Sequence, residues 1–260
     1  MKHITSRDNP TFNELKSLAE DTREQRRRRR TLLDGIHLVA AYCAKVGRPE
    51  QLILSEHGAA LPEIQSLRNL FADAEILLLR DNLFRDLSDL TNPTGICAVI
   101  RIPSAPSAAI NGSCVLLDAV QDPGNAGSIL RTAAAAGIVD VFFGSGCAAV
   151  WSAKVLRAAQ GAHFDLRLHE QSDLAAVMAK FSGATIASVA RDGESLFAQD
   201  LGGKLAWLFG SEGIGVSPAL VAVASKRICI PMVAGSESLN VGAAAAICLF
   251  EEVRQKTVRS

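Results

Sequence analysis

From Cys114 onward, short apolar runs alternate with helix-like stretches, and no other feature restricts the fold as much. Cys114 to Leu117, Val139 to Phe143, Thr185 to Val189, Leu205 to Phe209 and Arg227 to Ile230 read as strands. Helical signals at Ala126 to Ala136, Ser152 to Ala159, Leu174 to Lys180 and Pro218 to Ala224 separate them, and a long helix from about Leu239 to Gln255 closes the chain. The strands are continuously apolar, which implies burial on both faces and so a mostly parallel sheet covered by helices. An α/β fold follows.

The first hundred residues read as a smaller α/β unit. Helices are expected from Pro10 to about Arg29 and from Gly35 to Val46, with a strand at Gln51 to Leu54. Further signals lie at Pro62 to Phe71, Glu75 to Leu79 and Ile96 to Ile102. The composition then turns rich in Pro, Ser, Ala and Gly from Pro103 to Ser113, the signature of a linker. The expected organisation is a domain over 1–102, a linker over 103–113 and a second domain over 114–260.

With 48% hydrophobic and 21% charged residues, the 260-residue chain has the composition of a globular protein. No apolar run approaches the ~18 residues that span a bilayer, and Met1 to Pro10 lacks the apolar core of a signal peptide. No membrane partner is expected, and a cytoplasmic address is the default. The six cysteines form no Cys-x-x-Cys pair and read as reduced core residues. The zero net charge hides an asymmetry, because residues 1–30 carry nine basic and five acidic side chains. The run Arg26, Arg27, Arg28, Arg29 and Arg30 is either a phosphate-contacting surface, which guanidinium geometry suits, or a solvated helix face.

Several chemistries find little support. Gly144-Ser145-Gly146-Cys147-Ala148-Ala149 matches a loose dinucleotide pattern, but it follows the second strand of its domain and its helix begins late. No Gly-x-Ser-x-Gly elbow is present, and the five histidines have neither triad nor metal-ligand spacing. Most of them read as surface or locally bonded residues.

Two other segments are stronger. In Asp118 to Ala133, a strand ends in an Asp-Pro-Gly turn, and a helix starting near Asn125 carries Arg131. Either these two residues form a site, or Asn125 only caps the helix and Arg131 makes a surface ion pair. Between Leu208 and Val241, two loops follow apolar strands: Gly210-Ser211-Glu212-Gly213-Ile214-Gly215, and Pro231 to Asn240. Glycines there let backbone approach a ligand, so a pocket at the carboxyl edge of the sheet is expected.

Three segments together resemble the motifs of the SpoU/TrmH family of RNA ribose methyltransferases, within the knotted SPOUT superfamily. They are Asp122 to Gly127 with Arg131, Phe209 to Gly213 with Gly215, and Ile230-Pro231-Met232 with Ser238 to Val241. Lys154 to Arg157 with Gly161 is similar as well, although Ala159 and Gly242 stand where the family often has serine. Ile4 to Pro10, Leu33-Asp34-Gly35 and Asn92 to Gly95 look like the family's amino-terminal domain.

The resemblance implies a carboxy-terminal trefoil-knotted methyltransferase domain behind a ribosomal-protein-like α/β RNA-binding domain. It implies S-adenosylmethionine as cofactor, held by Gly210, Ile230 and Leu239 with Phe209 and Met232 beside them. It places Arg131 at a ribose 2′-hydroxyl, with Asn125, Glu212, Ser238 and Asn240 positioning groups around it, and Arg26 to Arg30 on RNA, ribosomal more than transfer. A homodimer is implied. Two other readings remain: an RNA-binding module without catalysis, which retention of Asn125 and Arg131 disfavours, and a ribosomal RNA 2′-O-methyltransferase of antibiotic resistance.

Overall fold

The computed structural model describes residues 1–69, 75–104, 109–233 and 237–259. It divides into two compact units, 1–103 with 151–164, and 104–150 with 165–260. The expected helix end at Phe71 and part of the expected linker, 105–108, lie outside the described residues.

The first unit contains β1 (Lys2–Ile4), α1 (Pro10–Glu20), α2 (Thr22–Arg28), β2 (Arg30–Asp34), α3 (Ile36–Lys45), β3 (Gln51–Ser55), α4 (Pro62–Asn69), β4 (Glu75–Leu79), α5 (Asp81–Leu87) and β5 (Ile96–Arg101). Its five-stranded sheet has the order β1-β4-β3-β5-β2. The pairs β1–β4 and β3–β4 are parallel, whereas β5 runs antiparallel to both β3 and β2. Phe12, Leu15 and Leu18, three residues apart along α1, bury one helix face against Leu32, Ile53, Leu77 and Val99 of the sheet.

The single helix expected from Pro10 to Arg29 is two. Asp21 is extended (φ −109°, ψ 105°), and its carboxylate accepts from the amides of Arg23 (2.8 Å) and Glu24 (3.4 Å), so it ends α1 and caps α2. Arg29 then adopts a left-handed conformation (φ 54°), and Arg30 already belongs to β2. The Asn92 to Gly95 segment has a steric purpose: a β-carbon on Gly58 would lie 2.3 Å from the Gly95 carbonyl oxygen, so the two backbones pack without side chains between them.

The second unit holds β6 (Cys114–Asp118), α6 (Pro123–Ala135) and β7 (Asp140–Phe143); α7 (Ala153–Ala159), which follows in sequence, is part of the first unit and packs with β2 there. Then come β8 (Arg167–His169), α8 (Leu174–Lys180), β9 (Ala184–Ser188), β10 (Glu194–Ser195), β11 (Leu205–Gly210), α9 (Pro218–Val223), β12 (Lys226–Cys229) and α10 (Val241–Arg259). The seven-stranded sheet runs β10-β12-β9-β11-β6-β7-β8, and every pair is parallel. The continuous apolar strands are therefore buried as anticipated, β11 along its whole length.

Two local expectations change. Helix α6 starts at Pro123 rather than Ala126, because the Asp122 carboxylate accepts from the Asn125 amide (2.8 Å) and caps it earlier. Four histidines are exposed or hydrogen-bonded as expected, His169 Nε2 sitting 2.9 Å from the buried Asp140 while its ring stacks on Phe142, but His163 is buried against Trp151.

The final helix is locked by a buried carboxylate. Glu252 accepts from Trp207 Nε1 (2.5 Å), Lys256 Nζ (2.5 Å) and the Ser113 hydroxyl, which itself accepts from the Leu205 amide (3.0 Å). A carboxylate so placed is tolerated because both of its oxygens accept hydrogen bonds. Cys97, Cys114 and Cys248 are buried and all cysteines are free thiols; burial pushes Cys114 and Cys248 up to about 12.

Candidate active site

A cavity of about 490 Å³ opens at the carboxyl ends of β9, β11 and β12. In a parallel sheet this edge collects loops and strand-end backbone groups, and the change of winding direction beside β6 leaves a crevice there. Strand order brings it about: β6, β7 and β8 extend the sheet to one side, and the chain then crosses to build β9 through β12 on the other.

The first wall is the loop after β11. Ser211 and Gly215 exchange two backbone hydrogen bonds (3.1 and 2.8 Å), folding the loop back over Gly210. A β-carbon on Gly210 would sit 1.9 to 2.1 Å from backbone atoms of Gly215 and Val216, so only glycine allows this closure. Ile214 is held at its tip with 82% of its surface exposed.

The second wall is the segment from Ile230 to Val241, of which 234–236 lie outside the described residues. Ile230, Met232, Ser238, Leu239 and Asn240 line the cavity. Asn240 precedes α10, and its side-chain oxygen accepts from the Ala243 amide (3.2 Å), which fixes its rotamer.

Asn125 ties the walls together. Its amide nitrogen donates to Glu212 (2.6 Å), and its oxygen accepts from the Asn240 amide (2.8 Å). The structure thus assembles Asn125, Glu212 and Asn240 from three distant segments into one chain of hydrogen bonds. Phe209, Gly210, Ile230, Met232 and Leu239 all line the cavity, as do Glu212 and Ser238. Arg131 does not: it is exposed on α6 and makes no hydrogen bond or ion pair with a described residue. Ser188, Val189 and Ala190 also line the cavity. They carry no signal in the sequence, because their place follows only from where β9 ends.

The arginine run spans the end of α2, the left-handed turn and the start of β2. Arg27 makes a two-pronged contact with Glu24 (2.8 and 2.5 Å), Arg28 reaches Glu24 and Glu14, and Arg30 pairs with Glu50 (2.7 Å). Arg27 and then Arg28 hold the Glu24 carboxyl down at about 2. Among the described residues no cluster of His, Cys, Asp and Glu could hold a metal ion, and no helix is long and apolar enough to cross a membrane.

Residues 112–250 match the SpoU rRNA Methylase family, and residues 9–98 match the MRM3-like substrate binding domain. The chain belongs to the SpoU family. It is similar to 23S rRNA (guanosine(2553)-2'-O)-methyltransferase RlmP of Bacillus subtilis (strain 168), 30% identical with 96% of this chain and 98% of that one covered. A TrmH-family structure from Porphyromonas gingivalis is 30% identical and superposes with a TM-score of 0.82, covering 96% of this chain and 100% of that one. The SpoU methyltransferase AviRb from Streptomyces viridochromogenes, solved with AdoMet, shares the fold at 23% identity (TM-score 0.87; 96% of this chain, 98% of that one). Within a SpoU chain, the cavity built from the second and third motifs is the candidate active site.

Proposed function

We propose that this protein transfers the methyl group of S-adenosylmethionine to a ribose 2′-hydroxyl of ribosomal RNA. The chemistry of the cavity carries the reading. Among the described residues its wall has one charged side chain, the Glu212 carboxylate, and the rest is apolar surface, hydroxyls, the Asn240 amide and backbone. Such a lining suits a cationic ligand, and among the described residues it has no Lys or Arg side chain to pair with the phosphates of a dinucleotide. Its volume is in the range of small-molecule sites. The activity in the name of RlmP supports ribosomal RNA as the substrate.

When bound, S-adenosylmethionine supplies a sulfonium methyl group open to in-line attack by the ribose 2′-oxygen. Backbone groups of Gly210, Ile230 and Leu239 hold it, and Phe209 and Met232 supply apolar wall. Glu212 balances positive charge, Asn125 fixes its direction, and Ser238 and Asn240 position the ribose. Arg131 has five donors and no acceptor, and a guanidinium keeps its proton at any working pH. Its role is to stabilise charge on the hydroxyl oxygen and neighbouring phosphate rather than to act as a base; as the oxygen–methyl bond forms the sulfur–methyl bond breaks, and the hydroxyl proton passes to solvent water.

Because Arg131 does not line the cavity of its own chain, the reading includes a homodimer in which one protomer supplies it to the other. The exposed Phe250 on α10 supports an apolar contact of that kind. A trefoil knot in 114–260 is supported by connectivity. After β12 the chain returns past β9 and β11 to lay α10 on α6, and the segment that returns shares a cavity with the 211–217 loop. Residues 1–102, joined through 103–113, bind the RNA by shape, with Arg26 to Arg30 on its phosphates, Arg27, Arg28 and Arg30 exchanging their glutamate partners to do so. The bacterial source of RlmP supports a cytoplasmic address.

The test is incubation with tritiated S-adenosylmethionine and total RNA from a strain lacking the protein. Label in 23S rRNA at one mapped position supports the reading. Bound cofactor with no RNA labelled overturns it in favour of a binding module.

A further inference from the structure

We infer that Asp118 is a positioning residue for the cofactor loop, a role that rests on the methyltransferase reading but is held by contacts of its own. Asp118 ends β6, the strand hydrogen-bonded to β11, and lies opposite Gly210 in the register. Its Oδ2 accepts from the Ser217 amide at 2.7 Å, across 99 residues of chain. Charge-assisted bonds of this length are the strong ones, and Ser217 marks the point where the loop ends and α9 begins.

The loop is therefore pinned twice from the β6–α6 connection. Asn125 holds its outer part through Glu212, and Asp118 holds its base through Ser217. Between the pins, Gly215 and Val216 rest on Gly210 with no space for a β-carbon, so a shift of Ser217 is transmitted to the wall that faces the ligand. Asp118 is half-buried and does not line the cavity, so it acts through the loop. The residue that follows, Ala119, is left-handed (φ 53°), which turns the chain away directly after the carboxylate.

The experiment compares Asp118→Ala and Asp118→Asn in the full chain. Hydrogen exchange of the ligand-free protein is followed by mass spectrometry, and KM for S-adenosylmethionine is measured separately from kcat. Asp118→Ala is expected to speed exchange over 214–217 by at least about tenfold and raise KM by about tenfold, with kcat within about threefold. Asp118→Asn keeps an oxygen acceptor and is expected to restore both. Ser217 has φ −59°, which proline can adopt, so Ser217→Pro removes the donor. In the Asp118→Ala background it is expected to change exchange and KM by less than about twofold.

Unchanged exchange and KM in Asp118→Ala overturn the inference. So does an Asp118→Asn variant that loses kcat at saturating cofactor. If Asp118→Ala does not fold, faster exchange in Ser217→Pro supports the inference and unchanged exchange overturns it. If the wild type binds no S-adenosylmethionine, the functional reading falls, and the exchange measurement still decides whether Asp118 holds the loop.

Discussion

Asn125 and Glu212, 87 residues apart in the chain, meet at 2.6 Å, and through that contact the start of α6 holds the loop after β11. The same Asn125 side chain accepts from Asn240, so one amide sets the distance between both walls of the cavity. An amide is the side chain that can do this, since it donates at one end and accepts at the other.

Asn125→Asp keeps the size of the side chain but places a carboxylate against Glu212. Turnover is expected to fall by about a hundredfold with the melting temperature nearly unchanged, because misplaced groups rather than lost packing cause the defect. Single-turnover methyl transfer alongside thermal denaturation checks this. Wild-type turnover in this variant would show that the bridge is ornamental.

Arg131 is exposed and does not line the cavity of its own chain, so its removal should not disturb cofactor binding. Arg131→Ala is expected to abolish methyl transfer while affinity for S-adenosylmethionine stays within about threefold. Calorimetric titration read against transfer rate separates the two quantities. Turnover at the wild-type rate would remove Arg131 from the mechanism.

Gly210→Ala puts a methyl group where Gly215 and Val216 backbone atoms now lie, and backbone cannot swing aside as a long side chain would. Cofactor affinity is expected to drop by at least about tenfold. Gly203→Ala meets nothing within 4 Å and serves as the control with wild-type affinity. Equal binding by the Gly210 variant would mean that the loop does not form the wall.

Glu252 tests stability rather than chemistry. Glu252→Ala leaves the Trp207 indole and the Ser113 hydroxyl without their acceptor and a cavity beside them, and a loss of about 3 kcal/mol is expected. Urea denaturation measures it. A loss below about 0.5 kcal/mol would place the network among weakly coupled surface contacts.

Much of this was readable from residue order, for identifiable reasons. The parallel sheet announced itself because strands buried on both faces cannot afford polar residues, as Leu205 to Phe209 shows. The second and third motifs were legible because small residues such as Gly210 follow apolar strands directly, and because their order and spacing resemble the family's motifs. The break at Asp21 was hidden, since Glu20, Thr22 and Arg23 are all compatible with an unbroken helix and only the backbone angle reveals the cap. Strand β2 was hidden behind the arginine run, whose last member it includes. Ser188 and Asp118 act through their place at strand ends, and that place depends on sheet order rather than on residue type.

The fate of the transferred methyl group under alkali tests the central claim most directly. A methylated 2′-oxygen cannot attack its neighbouring phosphate, so alkaline hydrolysis leaves that linkage intact. After reaction with tritiated S-adenosylmethionine, the account predicts label in an alkali-resistant dinucleotide of 23S rRNA. Label released in mononucleotides, as base methylation would give, contradicts it.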